Sequence, residues 1–104
     1  MTHLAEEIDF KRVYIFASKK HNLLILRVLL NTPHGTGFNA ILKAAFPITP
    51  RILSTRQKEL EKLKLISKGL VFGSPPKIEY RATQKAEGLR KIISDFEEWV
   101  KKEL

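Results

Sequence analysis

"ITPRILSTRQKELEKL", residues 48–63, decides how this chain is read. Thr49 followed by Pro50 is a helix start. The hydroxyl can accept a first-turn N–H, and proline presets the backbone where no N–H is needed. Ile52, Leu53, Leu60 and Leu63 recur at helical spacing and are expected to face inward, with Arg56 and Gln57 near the boundary. The other side carries Arg51, Ser54, Thr55 and Lys58. An arginine can fork onto guanine O6 and N7; serine and threonine can bond phosphates or base edges. A helix N-terminus itself favours a phosphate. A solvated helix face has the same composition, so the flanking sequence must decide.

Downstream, "LISKGLVFGSPPKIEYRAT" reads as two strands. Leu65, Ile66, Leu70, Val71 and Phe72 form one; Ile78 and Tyr80, alternating with Glu79 and Arg81, form the other. Gly73-Ser74-Pro75-Pro76 joins them as a stiff hairpin loop. Thr83 is expected to cap a last helix, about 83–103. Upstream, "FNAILKAAF" is helical until Pro47, and "TPHGTG" breaks the pattern. "SKKHNLLILRVLLN" is apolar nearly all round, as a central buried helix would be, with Ser18 as its expected N-cap. Leu4, Ile8, Val13, Phe16 and Ala17 suggest a first helix. The expected class is mainly α with a small β-hairpin (α+β). The outline is a winged helix-turn-helix with a C-terminal dimerisation helix. It forms a single domain over 1–104, with a recognition helix at about 49–63 and a wing at about 66–81.

Composition narrows the partners. The 104 residues carry 19 basic and 11 acidic side chains, a net charge of +8, which suits a polyanionic partner, either nucleic acid or an anionic membrane surface. The charge is uneven. Residues 49–81 hold eight basic against three acidic residues, whereas 82–104 hold five of each. There is no cysteine, which excludes a disulfide scaffold, a cysteine-ligated zinc site and a thiol switch. No apolar run approaches the roughly 20 residues of a membrane span. The start "MTHLAEEIDF" lacks an apolar signal region, so a cytoplasmic protein is expected.

The expected DNA-binding residues are Thr49, Arg51, Ser54, Thr55, Arg56 and Lys58 on the reading helix, with Lys68, Lys77 and Arg81 on the wing holding phosphates. The stripe Leu89, Ile92, Ile93, Phe96, Trp99 and Val100 is wider than one terminal helix needs and is assigned to dimerisation, with Trp99 as anchor. His3, His21 and His34 lack metal-ligand spacing. Glu97 and Glu98 have no partner for acid–base work, and "HGTG" lacks the ending of a phosphate loop. No catalytic residue, metal or cofactor is expected, and the chain is not read as an enzyme.

"LLILRVLL", "FNAILKAAFPITPRILSTRQKELEKLKLI" and "PPKIEYRATQKAEGL" resemble the HxlR-type winged-helix transcriptional regulators, from about Lys20 to Leu89. The resemblance implies a dimeric DNA-binding regulator with dimer contacts from the first and last helices. It places Pro50, Arg51, Ser54 and Arg56 on the recognition helix and Pro75, Pro76, Lys77 and Tyr80 in the wing, with Tyr80 a packing residue at its base. Departures are His21 where the family usually has tryptophan, Gln57 for leucine, and Lys64 for the glycine that closes the helix in a left-handed turn. The oxidant-sensing N-terminal cysteine of many relatives is missing, so thiol sensing does not carry over.

The reading is therefore a homodimeric, sequence-specific regulator bound to double-stranded DNA. The sequence leaves room for a small-molecule effector but names none. A winged-helix protein- or RNA-interaction module and a sequence-neutral, chromatin-like DNA binder are the alternatives, since fold does not fix function.

Overall fold

The computed structural model describes residues 2–19 and 21–104, with side chains from Phe10 onward. The His3, Leu4 and Ile8 side chains lie outside the described residues. In chain order the elements are α1 (Thr2–Ser18), α2 (Asn22–Leu30), α3 (Phe38–Ala44), α4 (Pro50–Lys62), β1 (Ile66–Val71), β2 (Lys77–Ala82), α5 (Gln84–Glu87) and α6 (Arg90–Glu103). Helices α2 to α4 and the β1–β2 hairpin form a winged helix-turn-helix.

The core is built around α2. Ile25, Leu26 and Leu29 meet Ile41 and Ala45 from α3 and its end, Leu53 and Leu60 from α4, and Ile66 at the hairpin base. Burying each large aliphatic side chain stabilises the fold by about 1.5–3 kcal/mol. Helix α2 does not begin as expected. Ser18 belongs to α1, where its hydroxyl donates to the Ile15 carbonyl at 3.0 Å. The N-cap is His21, left-handed at φ 79° and without a side-chain cap. The buried Asn22 secures the junction instead, its Nδ2 donating to the Phe16 carbonyl at 3.2 Å.

Both ends of α4 are locally encoded. Thr49 Oγ1 accepts the Ile52 N–H at 3.2 Å, ahead of Pro50. At the other end Leu65 N–H donates to the Leu60 carbonyl and Lys64 N–H to the Glu61 carbonyl, both at 2.9 Å, which is a Schellman closure. Its left-handed residue is Lys64, at φ 61°. The buried stripe of α4 is Leu53, Gln57 and Leu60. Ile52 (36% exposed) and Leu63 (45%) were expected inside but sit on its flanks. A helix advances about 100° per residue, so a stripe centred on 53, 57 and 60 leaves 52 and 63 to one side.

The hairpin is antiparallel, from Ile66 opposite Ala82 at its base to Val71 opposite Lys77 at its outer end. A feature the sequence did not announce ties it down. Thr36, in the α2–α3 link, exchanges two backbone hydrogen bonds with Tyr80, at 3.0 and 2.8 Å. Gly35 precedes it at φ 93°, where a Cβ would lie 2.7 Å from Glu79 Oε2.

The single C-terminal helix expected over 83–103 is broken. Gly88 and Leu89 separate α5 from α6, and the Leu89 N–H closes a tight bond to the Ala86 carbonyl. Glycine at 88 is the weak point for a continuous helix. Leu89 packs against the core. Helix α6 is joined to α2 by the Arg27–Glu97 ion pair and by Arg90, whose guanidinium donates to the Leu30 carbonyl at 2.7 Å.

Candidate nucleic-acid interface

At about 100° per residue, Arg51, Thr55, Lys58 and Lys62 project from the side of α4 opposite Leu53 and Leu60. All four are exposed, and Ser54 lies half-buried beside them. No ion pair among the described residues neutralises Arg51, Lys58 or Lys62. The hydroxyls are partly committed. Thr55 Oγ1 donates to the Arg51 carbonyl at 3.0 Å, which leaves its lone pairs and methyl for a ligand. Thr49 Oγ1 is spent as the cap acceptor but keeps its hydrogen to donate.

Arg56 departs from the row. It turns back along the helix and grips both oxygens of Glu59, at 3.0 and 2.9 Å, with its side chain only 20% exposed. Lys19, just past α1, reaches the same carboxylate at 3.3 Å. Partial burial pushes the Glu59 pKa up, but the Arg56 and Lys19 hydrogen bonds and charges outweigh it and hold the group below its ordinary 4.5. The expected DNA contact from Arg56 is thus replaced, in the free protein, by an internal ion pair. The i,i+3 spacing of Arg56 and Glu59 was the available signal.

On the wing, Lys68 lies opposite Tyr80, Lys77 opposite Val71, and Arg81 opposite Ser67. Lys68 and Lys77 are exposed, whereas Arg81 stands 3.7 Å from Glu79. Tyr80 is half-buried against the core. The wing is set relative to α4 by Thr83 and Lys85. Thr83 Oγ1 donates to the Lys64 carbonyl at 2.6 Å and accepts the Ala86 N–H at 3.3 Å, while Lys85 Nζ donates to the Leu63 carbonyl at 2.8 Å. Neither anchor was singled out from sequence for that role.

The residues assigned to dimerisation divide. Leu89 and Ile93 are packed within the protomer, Leu89 on the core and Ile93 buried. Both therefore serve packing within the protomer, a role the sequence reading did not give them. Ile92, Phe96 and Trp99 remain more than half exposed, with Val100 half-buried at their edge. Helix α1 presents Phe10, Val13, Tyr14 and Ile15, also more than half exposed, with the Phe10 and Tyr14 rings 4.8 Å apart.

Three packed helices, a hairpin wing and an outward cationic face on the third helix define a helix-turn-helix transcriptional regulator of the winged type. More narrowly, residues 16–104 match the model of the HxlR-like helix-turn-helix family, and the chain belongs to that family. It is 32% identical over 91 residues to the uncharacterized HTH-type transcriptional regulator YvaP of Bacillus subtilis (strain 168), covering 86% of this chain and 82% of YvaP. It is similar to the HTH-type transcriptional regulator YodB of the same organism, at 28% over 81 residues, covering 78% and 70%. The reduced form of YodB superposes with a TM-score of 0.75 at 25% identity, covering 88% of this chain and 87% of that one. A possible HxlR family transcriptional factor from Thermoplasma volcanium GSS1 gives 0.73 at 27% identity, covering 86% and 78%. Among the described residues no helix is long and apolar enough to cross a membrane.

Proposed function

We propose that residues 1–104 act as one winged-helix unit that binds double-stranded DNA sequence-specifically as a cytoplasmic homodimer and regulates transcription. The observation that carries this reading is the outward face of α4, where Arg51, Lys58 and Lys62, beside Thr55 and Ser54, have no counter-charge among the described residues. Arg51, Ser54, Thr55 and Lys58 contact bases and phosphates in the major groove, and Thr49 donates to a phosphate at the helix start. Lys68, Lys77 and Arg81 hold the flanking backbone. Arg56 serves the interface by fixing the helix through Glu59. The exposed apolar faces of α1 and α6 support the homodimer, because isolated protomers rarely leave so many large apolar groups in water. An effector, if the regulator has one, is not thiol-reactive at cysteine, since the chain has none.

Selection from a pool of random duplexes at two salt concentrations tests the reading. Enrichment of a palindrome with half-sites about 10 bp apart, or a multiple of that, supports a dimeric reader. Binding that weakens with salt and enriches no motif sinks sequence specificity and leaves a sequence-neutral DNA binder.

A further inference from the structure

The β1–β2 wing outgrows the core that supports its base. Alternate residues of a strand share a face, and the register puts Ile66 with Ala82, Lys68 with Tyr80, and Leu70 with Ile78 on one face. Ile66 is buried and Tyr80 half-buried, but by the third pair nothing covers the face. Leu70 is 57% and Ile78 49% exposed. Phe72, just past the end of β1, is 88% exposed. An apolar face that runs on past its own core, to end in an aromatic ring at the tip of a ribbon, needs a reason.

The charge around it names the occupant. From Lys62 to Ala86 the only carboxylate is Glu79, and Arg81 stands beside it at 3.7 Å. Of the basic residues in this stretch, Lys77 stands at the outer end opposite Val71 and Lys68 further in, while Lys62, Lys64, Arg81 and Lys85 lie at the base. The outer loop Phe72–Pro76 has no charge at all, and Lys77 follows it directly. An apolar tip with one lysine beside it, on a ribbon whose base is cationic, is complementary to a groove with phosphate rims and an interior of sugar and base-edge carbons. The wing also starts at the fixed Schellman turn that ends α4. A reading helix in the major groove therefore brings the hairpin, about 20 Å long at 3.3 Å per residue, over the neighbouring minor groove.

We infer that Phe72, just beyond the exposed Leu70–Ile78 pair, is an apolar wedge that enters the DNA minor groove beside the reading helix and opens a base step there. The inference rests on the DNA-binding function proposed above and adds a second source of specificity. Apolar side chains inserted between base steps unstack them and kink the duplex toward the major groove. The cost is least at flexible pyrimidine–purine steps, so binding sites carry a TA or CA/TG step at the flank under the wing.

The test uses the full chain, a duplex recovered from the random-pool selection, and end-to-end energy transfer across that duplex. The comparison set is wild type, Phe72→Ala, Phe72→Leu and Lys77→Ala. Phe72 is nearly free of protein contacts, so its variants fold; circular dichroism checks this. Wild type is expected to bend the duplex by an angle within the roughly 20–90° range of side-chain wedges. Phe72→Ala should keep its affinity within about tenfold, lose most of the bend and lose the flanking-step preference. Phe72→Leu should retain most of both, and Lys77→Ala should bind more weakly yet still bend. A wild-type complex that binds a straight duplex overturns the wedge and leaves DNA binding intact. So does a Phe72→Ala complex bent like wild type; if that variant also loses self-association or a protein partner, the tip belongs to a protein interface. A chain that binds no duplex overturns the wedge together with the proposed function.

Discussion

The Thr83 hydroxyl donates a 2.6 Å hydrogen bond to the carbonyl of Lys64, 19 positions earlier in the chain. The same oxygen accepts the Ala86 N–H at 3.3 Å. One hydroxyl thus joins the end of the reading helix, the exit of the wing and the start of α5. Thr83→Ala removes a helix cap and leaves a carbonyl without its donor. It should lower stability by about 1–2 kcal/mol. Thr83→Ser keeps both bonds and should cost less than half as much. Urea unfolding of the three proteins measures this, and equal losses for Ala and Ser would assign the effect to the methyl group instead.

Lys64 occupies a left-handed position at φ 61° with a side chain that disfavours it. L-residues other than glycine, asparagine and aspartate sit there at a cost of about 1–2 kcal/mol. Glycine relieves that cost but gives back some through the freer unfolded chain. Lys64→Gly should therefore raise stability by about 0.5–1 kcal/mol, and Lys64→Val should lower it. A destabilised Lys64→Gly protein would mean that the lysine side chain, rather than its backbone, holds the turn.

How legible these features were follows from their range. The Thr49-Pro50 cap is local, and the letters on the spot announce it; the left-handed turn at Lys64 is local too, but a lysine does not signal it, and only the family resemblance pointed there. The winged outline was legible because helical spacing stops after Leu63, a short apolar run follows, and polar and apolar residues alternate over 77–81 beyond the Gly-Ser-Pro-Pro loop. Features that depend on distant partners were not legible. Arg27 meets Glu97 across 70 residues, and Thr36 bonds Tyr80 across the fold. The pairing of Arg56 with Glu59 in the free protein was not foreseen, because its match to a recognition-helix motif outweighed its i,i+3 spacing to Glu59. Leu89 and Ile93 shared a periodic stripe with Phe96 and Trp99, and periodicity cannot say which half of a stripe the protomer uses for itself. The DNA contacts themselves are inferred from what the outward face leaves unpaired.

Arg51 and Arg56 should separate by experiment. Arg51 is exposed with no ion pair among the described residues, whereas Arg56 is gripped by Glu59. Arg51→Ala should cost about 1–3 kcal/mol of binding to the selected duplex and relax preference at one base position. Arg56→Ala should weaken all duplexes alike and lower the unfolding midpoint, because it loosens the helix and leaves Glu59 to Lys19 alone. If Arg56→Ala alters base preference while stability is unchanged, Arg56 must leave Glu59 for DNA in the complex.

Acid should weaken the fold through the same carboxylate. Glu59 is held below its ordinary 4.5 despite partial burial, because Arg56 and Lys19 favour its charged form. Glu87 is lowered chiefly by its hydrogen bond from Arg90, with burial opposing. A folded-state pKa below the unfolded one adds stability that is complete above the unfolded value. That stability is lost as pH falls through the lowered folded value. Unfolding midpoints should therefore drop from about pH 5 downward, and less so in a Glu59→Gln, Glu87→Gln double variant. Both groups face solvent, so added salt should shrink the difference. Parallel profiles for the two proteins would locate the acid sensitivity elsewhere.

Trp99 and Phe96 lie three residues apart on α6, both more than half exposed, while Ile93 on the neighbouring flank is buried. A helix that buries one flank and leaves two aromatic rings and Ile92 in water has a second surface to cover. Helix α1 offers Phe10 and Tyr14 of matching character. Phe96→Glu places a charge in that surface without touching the core or the outward face of α4. Sedimentation velocity should show wild type as a dimer and the variant as a monomer at the same concentration. An aromatic anchor at the centre of an interface is typically worth 2 kcal/mol or more. Far-ultraviolet circular dichroism should be unchanged. Binding to a single half-site should survive in the variant, because Arg51, Thr55 and Lys58 are intact. Binding to the full palindrome should fall by about 10²-fold or more, since the second half-site is no longer delivered at the effective concentration set by the dimer. A Phe96→Glu protein that remains dimeric would remove α6 from the interface and leave α1 as the surface to test next.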